Sequence, residues 1–184
     1  MDIHPDSLPR EQTCCFTGHR VIAARLREDL IAAVDLCIKE LYHAGFRYFM
    51  AGGALGFDTL AAVEVLRAAR FDADIKLILA LPCRDQTSQW ENIPGSLEHL
   101  RRYKQILGMA DCVVYVNDFY SDTCMQERNR YMVDHSSACV AYYSGYARSG
   151  AGQTFRMAQA EGLDLFNLWD SVDHSASKTS KTSR

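Results

Sequence analysis

The sequence predicts a single three-layer α/β domain built on a mostly parallel, doubly wound sheet, and three observations carry that expectation. Short apolar runs alternate with segments of helical periodicity, the usual sign of βαβ units. Every gap between consecutive candidate strands holds a candidate helix, so every crossover is helical. A chain of 184 residues with 48% hydrophobic content fits one domain, which at that length buries roughly 70% of the surface its unfolded form exposes.

In chain order, the candidate strands are Thr13–Thr17, Tyr48–Ala51, Ile75–Leu81, Cys112–Val116, Ala138–Tyr143 and Asp164–Leu168. The clearest helix runs from about Arg25 to Ala44, where Leu26, Leu30, Ala33, Val34, Cys37, Ile38 and Leu41 recur at three- and four-residue spacing. Glu28 and Asp29 suit its positive first turn and Gly45 its C-terminal stop. Further helices are expected over Phe57–Arg70, Leu97–Leu107 with Gly108 as its stop, Cys124–Asp134 and Thr154–Glu161. Residues 13–170 form the domain in this reading. Met1–Gln12 is a polar extension, and Ser171–Arg184, almost free of apolar residues, a disordered tail. The polar stretch Arg84–Gly95 follows the third strand and carries Trp90 and Pro94, which suggests a lid over a ligand.

Composition narrows the partners. A formal charge of -3 and a pI near 6.0 provide no global attraction for phosphate polymers or anionic lipid, so a small ligand is favoured over nucleic acid. Seven cysteines, an odd number without a C-x-x-C pair, suit neither a disulfide framework nor a zinc site and are expected to be reduced and buried. No apolar run approaches the ~18 residues of a membrane span, and the expectation is a cytoplasmic protein without a metal. A homo-oligomer or a protein partner stays open.

Two glycine-rich junctions point to binding. Gly52, Gly53 and Gly56 lie between a strand and a helix, where glycine lets the backbone approach a ligand and the helix N-terminus offers free N–H groups. A tight turn without a ligand is the alternative. Asp58 in the first helical turn stabilises the dipole but repels phosphate; it accepts either ribose hydroxyls or its own backbone amides, and spacing leaves both open. Gly150, Gly152 and Thr154 lie before the fifth helix with no acid and with Arg148 and Arg156 beside them, the better phosphate cradle. Thr17, Gly18 and Arg20 end the first strand at the crevice edge, where doubly wound folds bind ligands. His19 between them reads as structural. Trp90 either stacks on the ligand or is a packed aromatic. Glu127-Arg128-Asn129-Arg130 lies early in a helix, with charges that a surface face explains equally well.

Taken in order, T-G-H-R at 17–20, G-G-A-L-G-F-D at 52–58, L-P-C-x5-Q-W at 81–90, M-Q-E-R-N-R-Y-M at 125–132 and S-G-A-G-Q-T at 149–154 resemble the YpsA-like family of the SLOG superfamily, named for its SMF/DprA and LOG members. The resemblance spans about Thr13 to Leu168. It implies a Rossmann-like fold and recognition of a nucleotide or nucleotide-derived ligand, ADP-ribose-like or NAD-like, with no cofactor fixed beyond that. Asp58 would then take a ribose hydroxyl, with Arg128 and Thr154 at the phosphate and Asn129 among the ligand-binding residues.

Two branches offer rival activities. The DprA branch pairs a G-x-A-x-G-[IV]-D loop and an E-R-N-R segment with single-stranded DNA binding; Gly52–Asp58 and Glu127–Arg130 are similar, with Phe57 in place of the branched residue. The phosphoribohydrolase branch cleaves N-glycosidic bonds with an arginine, matched by Arg128, and a glutamate in P-G-G-x-G-T-x-x-E. Met157 stands at that glutamate's position here, and glycosidic cleavage needs a carboxylate, so only Glu161 or Asp58 is left to substitute. The resemblance therefore favours binding or sensing over catalysis.

Overall fold

The computed structural model describes residues 7–90, 93–145 and 148–172. Six strands form one sheet: β1 (Thr13–Gly18), β2 (Tyr48–Ala51), β3 (Lys76–Leu81), β4 (Cys112–Tyr115), β5 (Ala138–Tyr142) and β6 (Asp164–Asn167). Their order is β4-β3-β2-β1-β5-β6, and every neighbouring pair is parallel. Five helices make the crossovers: α1 (Arg27–His43), α2 (Phe57–Ala68), α3 (Ser96–Met109), α4 (Cys124–Asp134) and α5 (Gly150–Ala160). The sandwich is the three-layer α/β domain that the alternating pattern predicts.

Burial on both faces explains the strand composition, because a parallel sheet covered by helices reads as a continuous apolar run. Cys14, Cys15 and Phe16 of β1 and Leu77, Ile78 and Leu79 of β3 are all buried. One core cluster joins Phe16, Phe49, Leu77 and Leu79 to Leu30, Val34 and Ile38 of α1 and Leu60 and Val65 of α2. On the other face Cys15, Met50, Ile78 and Cys139 pack with Met132 and Val133 of α4 and Ala158 of α5. All seven cysteines are free and buried. Burial pushes the Cys37 thiol up to about 11 and the Cys83 thiol up to about 12.

Several boundaries differ from the expected ones for identifiable reasons. Ala24–Leu26 is a separate 3-10 turn, so α1 starts at Arg27 rather than Arg25. Gly45 does end that helix region, with φ at +103°. Gly108 is not a stop: α3 continues through it to Met109, and a Cβ there would meet nothing within 4 Å. The largest shift is in α5, which begins at Gly150 instead of Thr154 because the Ser149 hydroxyl caps it, accepting the Gly152 N–H at 3.0 Å. The glycines of that junction are helical residues and not a loop.

The stretch expected to form a lid is anchored in the domain at Gln86 and Trp90, while Arg84, Asp85, Ser88, Pro94 and Gly95 are exposed. Cys83, Gln86 and Trp90 are buried, and Trp90 meets Tyr103 of α3 edge-on at 5.3 Å. Residues 91 and 92 lie outside the described residues. Of the expected tail, Val172 is buried in the core cluster, while residues 173–184 lie outside the described residues, as do residues 1–6 of the N-terminal extension.

Candidate functional site

Topology selects the site. Strands β1 to β4 march one way across the sheet, then the chain returns and lays β5 against the other side of β1. At such a switch the loops leaving two adjacent strands diverge, and a crevice opens beyond their carboxyl ends. A cavity of about 310 Å³ lies there, lined by Thr17, Gly18, His19 and Arg20 after β1, Ala54 and Asp58 at the start of α2, Arg128 and Asn129 of α4, and Ser149, Gly150, Ala151 and Thr154 of α5. That volume is at the lower end of the range for small-molecule sites.

Helix geometry decides how the E-R-N-R segment divides. Met125, Arg128, Asn129 and Met132, spaced by three and four residues, share the face of α4 that lines the crevice. Glu127 and Arg130 point away. The Thr123 hydroxyl donates to Glu127 at 2.7 Å, and Arg130 pairs with Glu161 at 2.7 Å. Glu161 is thus held on the outer surface by Arg130, and Met157 packs into the core cluster beneath α5. Among the described residues lining the crevice, Asp58 is the one carboxylate.

Asp58 and Arg128 face each other at 3.6 Å, both side chains more than nine-tenths buried. Burial raises the carboxyl's pKa, and the Arg128 charge opposes that rise. Burial likewise lowers that of Arg128, with Asp58 opposing. The Ala54 N–H reaches Asp58 at 3.4 Å and the Gly52 backbone is a second donor to it, both opposing the burial effect less than the guanidinium does. Arg128 also donates through Nη1 to the Gly52 carbonyl. Its Nε–H remains a buried donor with no partner among the described residues.

The early glycines have a role in the packing around the crevice. A Cβ on Gly52 would lie 1.5 Å from Arg128 Nη1, so its absence is what admits the guanidinium. Gly53 at φ +66° abuts Leu81, and Gly56 at φ +81° abuts the Arg20 backbone. None of the three lines the crevice. Trp90 does not line it either. Gly152 is buried in α5 behind the lining residues. Thr154 is buried and its hydroxyl donates to the Gly150 carbonyl at 3.1 Å; Gly150 and Ala151 begin the helix, where backbone amides have no intrahelical acceptor. Arg148 and Arg156 are exposed and outside the lining. Arg20 lines it and makes no hydrogen bond or ion pair among the described residues.

His19 is the residue the sequence undervalues. Its Nε2 accepts the Ser144 N–H at 2.9 Å, which assigns the ring proton to Nδ1, and the Ser144 hydroxyl also lies 2.9 Å from Nε2. The ring meets Trp169 edge-on at 5.3 Å and Tyr142 at 5.9 Å. Burial lowers the pKa of His19, so it is neutral at pH 7. The unfolded state then binds the extra proton below about pH 6.5. A stability increment is expected to be present above pH 6.5 and to be lost as pH falls toward the folded-state pKa, and urea midpoints of the wild type and His19→Gln should diverge above pH 6.5 and converge below it.

Comparison with known proteins places this geometry. A family model described as the YspA SLOG family matches residues 24–163. The uncharacterized SPbeta prophage-derived protein YoqJ of Bacillus subtilis (strain 168) is 32% identical over 158 residues, 79% of this chain and 86% of its own length. A UPF0398 protein of Leuconostoc citreum (strain KM20) is 24% identical over 69% of this chain and 66% of its own. Among solved structures, DNA processing protein A from Helicobacter pylori, described for its single-stranded DNA binding mode, superposes with a TM-score of 0.56 at 20% identity over 86% of this chain. The match spans 65% of that chain and shows a shared fold. With three quarters of its length matched by the family model and YoqJ similar over most of both chains, the protein belongs to the YspA SLOG family.

Proposed function

We propose that the crevice binds a nucleotide or nucleotide-derived ligand of the ADP-ribose or NAD type, in a binding or sensing role. One observation carries this reading above the others: the buried guanidinium of Arg128 lines the crevice with an Nε–H that has no acceptor among the described residues. A buried donor without a partner costs about 1–3 kcal/mol, and an acceptor oxygen on a ligand removes that cost. The same cavity holds the free Arg20 guanidinium and the first amides of α5, which together match a phosphate. Asp58 accepts a ribose hydroxyl through the lone pairs that Arg128 leaves open.

A ligand present at ~100 times its dissociation constant adds about 2.7 kcal/mol, which for a domain of this size raises Tm by roughly 5–10 °C. A panel of NAD, ADP-ribose and nucleoside monophosphates should produce such a shift with at least one member, and Arg20→Ala should abolish it. Trp169 packs on His19, which lines the crevice, so the same ligand should change Trp169 fluorescence in a Trp90→Phe protein. A flat response in both measurements across the panel rejects the reading.

The likeness to DNA processing protein A supports a second reading, single-stranded DNA in the same crevice. It predicts oligonucleotide binding that weakens steeply with salt, and no binding at low salt removes it.

A further inference from the structure

A second cavity, of about 460 Å³, lies between α1, α2 and α3 on the other side of the domain from α4, and shares no lining residue with the crevice. Its rim carries Arg27 of α1, Arg67 of α2, Arg70 just beyond α2 and Arg102 of α3. The single carboxylate in the lining is Glu64, buried and paired with Arg67 at 3.1 Å. Arg102 has only a surface contact with Glu98, at 3.6 Å. The guanidinium groups of Arg27 and Arg70 make no ion pair among the described residues. With Arg67 shared with Glu64 and Arg102 with Glu98, the guanidinium groups of Arg27 and Arg70 leave two positive charges at this cavity without an ion pair among the described residues, in a chain whose net charge is -3. Like charges held around a concave surface focus a positive potential into it, which raises the local concentration of anions.

The arrangement beneath the rim gives the ligand a shape. Leu66, the buried Ile106 and the exposed Met109 line the same cavity, so an apolar surface adjoins the planar, bidentate donors of the arginines. Arginine pairs through two parallel N–H groups with a phosphate, and the two charges of Arg27 and Arg70, beside the shared Arg67 and Arg102, exceed what one monoanion neutralises. We propose that this cavity is a second anion site, taking a run of adjacent phosphates either as free oligophosphate or as the tail of a nucleotide whose base lies against Ile106 and Met109. It is independent of the crevice and stands whatever the crevice binds.

Methionine methyl resonances separate the two sites in the full chain, because Met109 lines this cavity while Met125 and Met132 line the crevice. Titration of [13C-methyl]-methionine protein with tripolyphosphate at low salt should shift Met109, and the apparent Kd from that signal should weaken at least tenfold in Arg27→Ala/Arg70→Ala and stay within twofold in Arg20→Ala. The two arginines are exposed, so the double variant should keep the wild-type spectrum elsewhere. A parallel titration with ATP distinguishes the sources: tighter binding than tripolyphosphate assigns the nucleotide, equal or weaker binding the free oligophosphate. Three results overturn the proposal: a Met109 signal unmoved by either anion, a shift that survives in the double variant, or a shift lost equally in Arg20→Ala.

Discussion

Arg128→Ala is expected to destabilise the domain by about 3–5 kcal/mol at pH 7, because it strands Asp58 as an uncompensated charge more than nine-tenths buried. The Gly52 carbonyl loses its donor at the same time. Burial already raises the Asp58 carboxyl's pKa with the guanidinium opposing; without the guanidinium the rise is larger. The folded variant then binds a proton that the unfolded chain releases at lower pH, so its stability falls as pH rises, and the deficit should be greater at pH 8 than at pH 5. Urea unfolding of wild type and variant at the two pH values measures both effects. The pair itself is not required for stability: Asp58→Asn/Arg128→Met, which removes both charges, should recover most of the loss. If the single variant unfolds at the wild-type midpoint at pH 8, the buried pair is not the electrostatic unit described here.

That pair also shows where the sequence stops being readable. Strand order aside, the fold is legible because its signals are local: apolar runs for β1 to β6, three- and four-residue spacing for α1, and helix-start chemistry at Asp58. The starts of α2 and α4 fall at Phe57 and Cys124 as their spacing predicts. The 70 positions between Asp58 and Arg128 are bridged only by the crossovers, so nothing local announces that these two residues meet. In consequence, the packing role of Gly52 and Gly56, whose lack of Cβ admits the Arg128 guanidinium and the Arg20 backbone, is not legible in the sequence. The inward face of α4 was within reach, since Met125, Arg128, Asn129 and Met132 fall on one helical stripe; of the two readings of Trp90 the packed one holds, with Tyr103 beside it. The late junction misleads for a smaller reason, a serine cap that starts α5 four residues early. Thr17, Gly18, Arg20, Asp58, Arg128, Asn129, Gly150 and Thr154 do line one cavity. The glycines at 52, 53 and 56 support that cavity from behind.

Gly56→Ala tests this division of labour, and its expected effect is a loss of about 3 kcal/mol with the crevice disordered as well. Two independent penalties meet at the position. A φ of +81° with ψ of -119° is a backbone state that residues with a Cβ rarely adopt, which costs on the order of 1–3 kcal/mol. The added Cβ would also lie 2.3 Å from the Arg20 carbonyl oxygen and 2.6 Å from its Cα, and this neighbour is main chain. That main chain cannot yield freely, since the adjoining Phe57 N–H donates to the His19 carbonyl at 3.1 Å and the His19 N–H to the Tyr142 carbonyl at 3.1 Å. Relief of the clash therefore moves Arg20 and His19 together, the two residues that carry β1 into the crevice. Denaturation should report the lost stability. Ligand-induced stabilisation should fall in Gly56→Ala even at temperatures where the variant is fully folded, whereas Gly108→Ala, where a Cβ meets nothing within 4 Å inside α3, should be neutral or slightly stabilising and bind as the wild type does. A Gly56→Ala protein with wild-type stability and binding would mean that the β1–α2 junction is not the rigid support of the site.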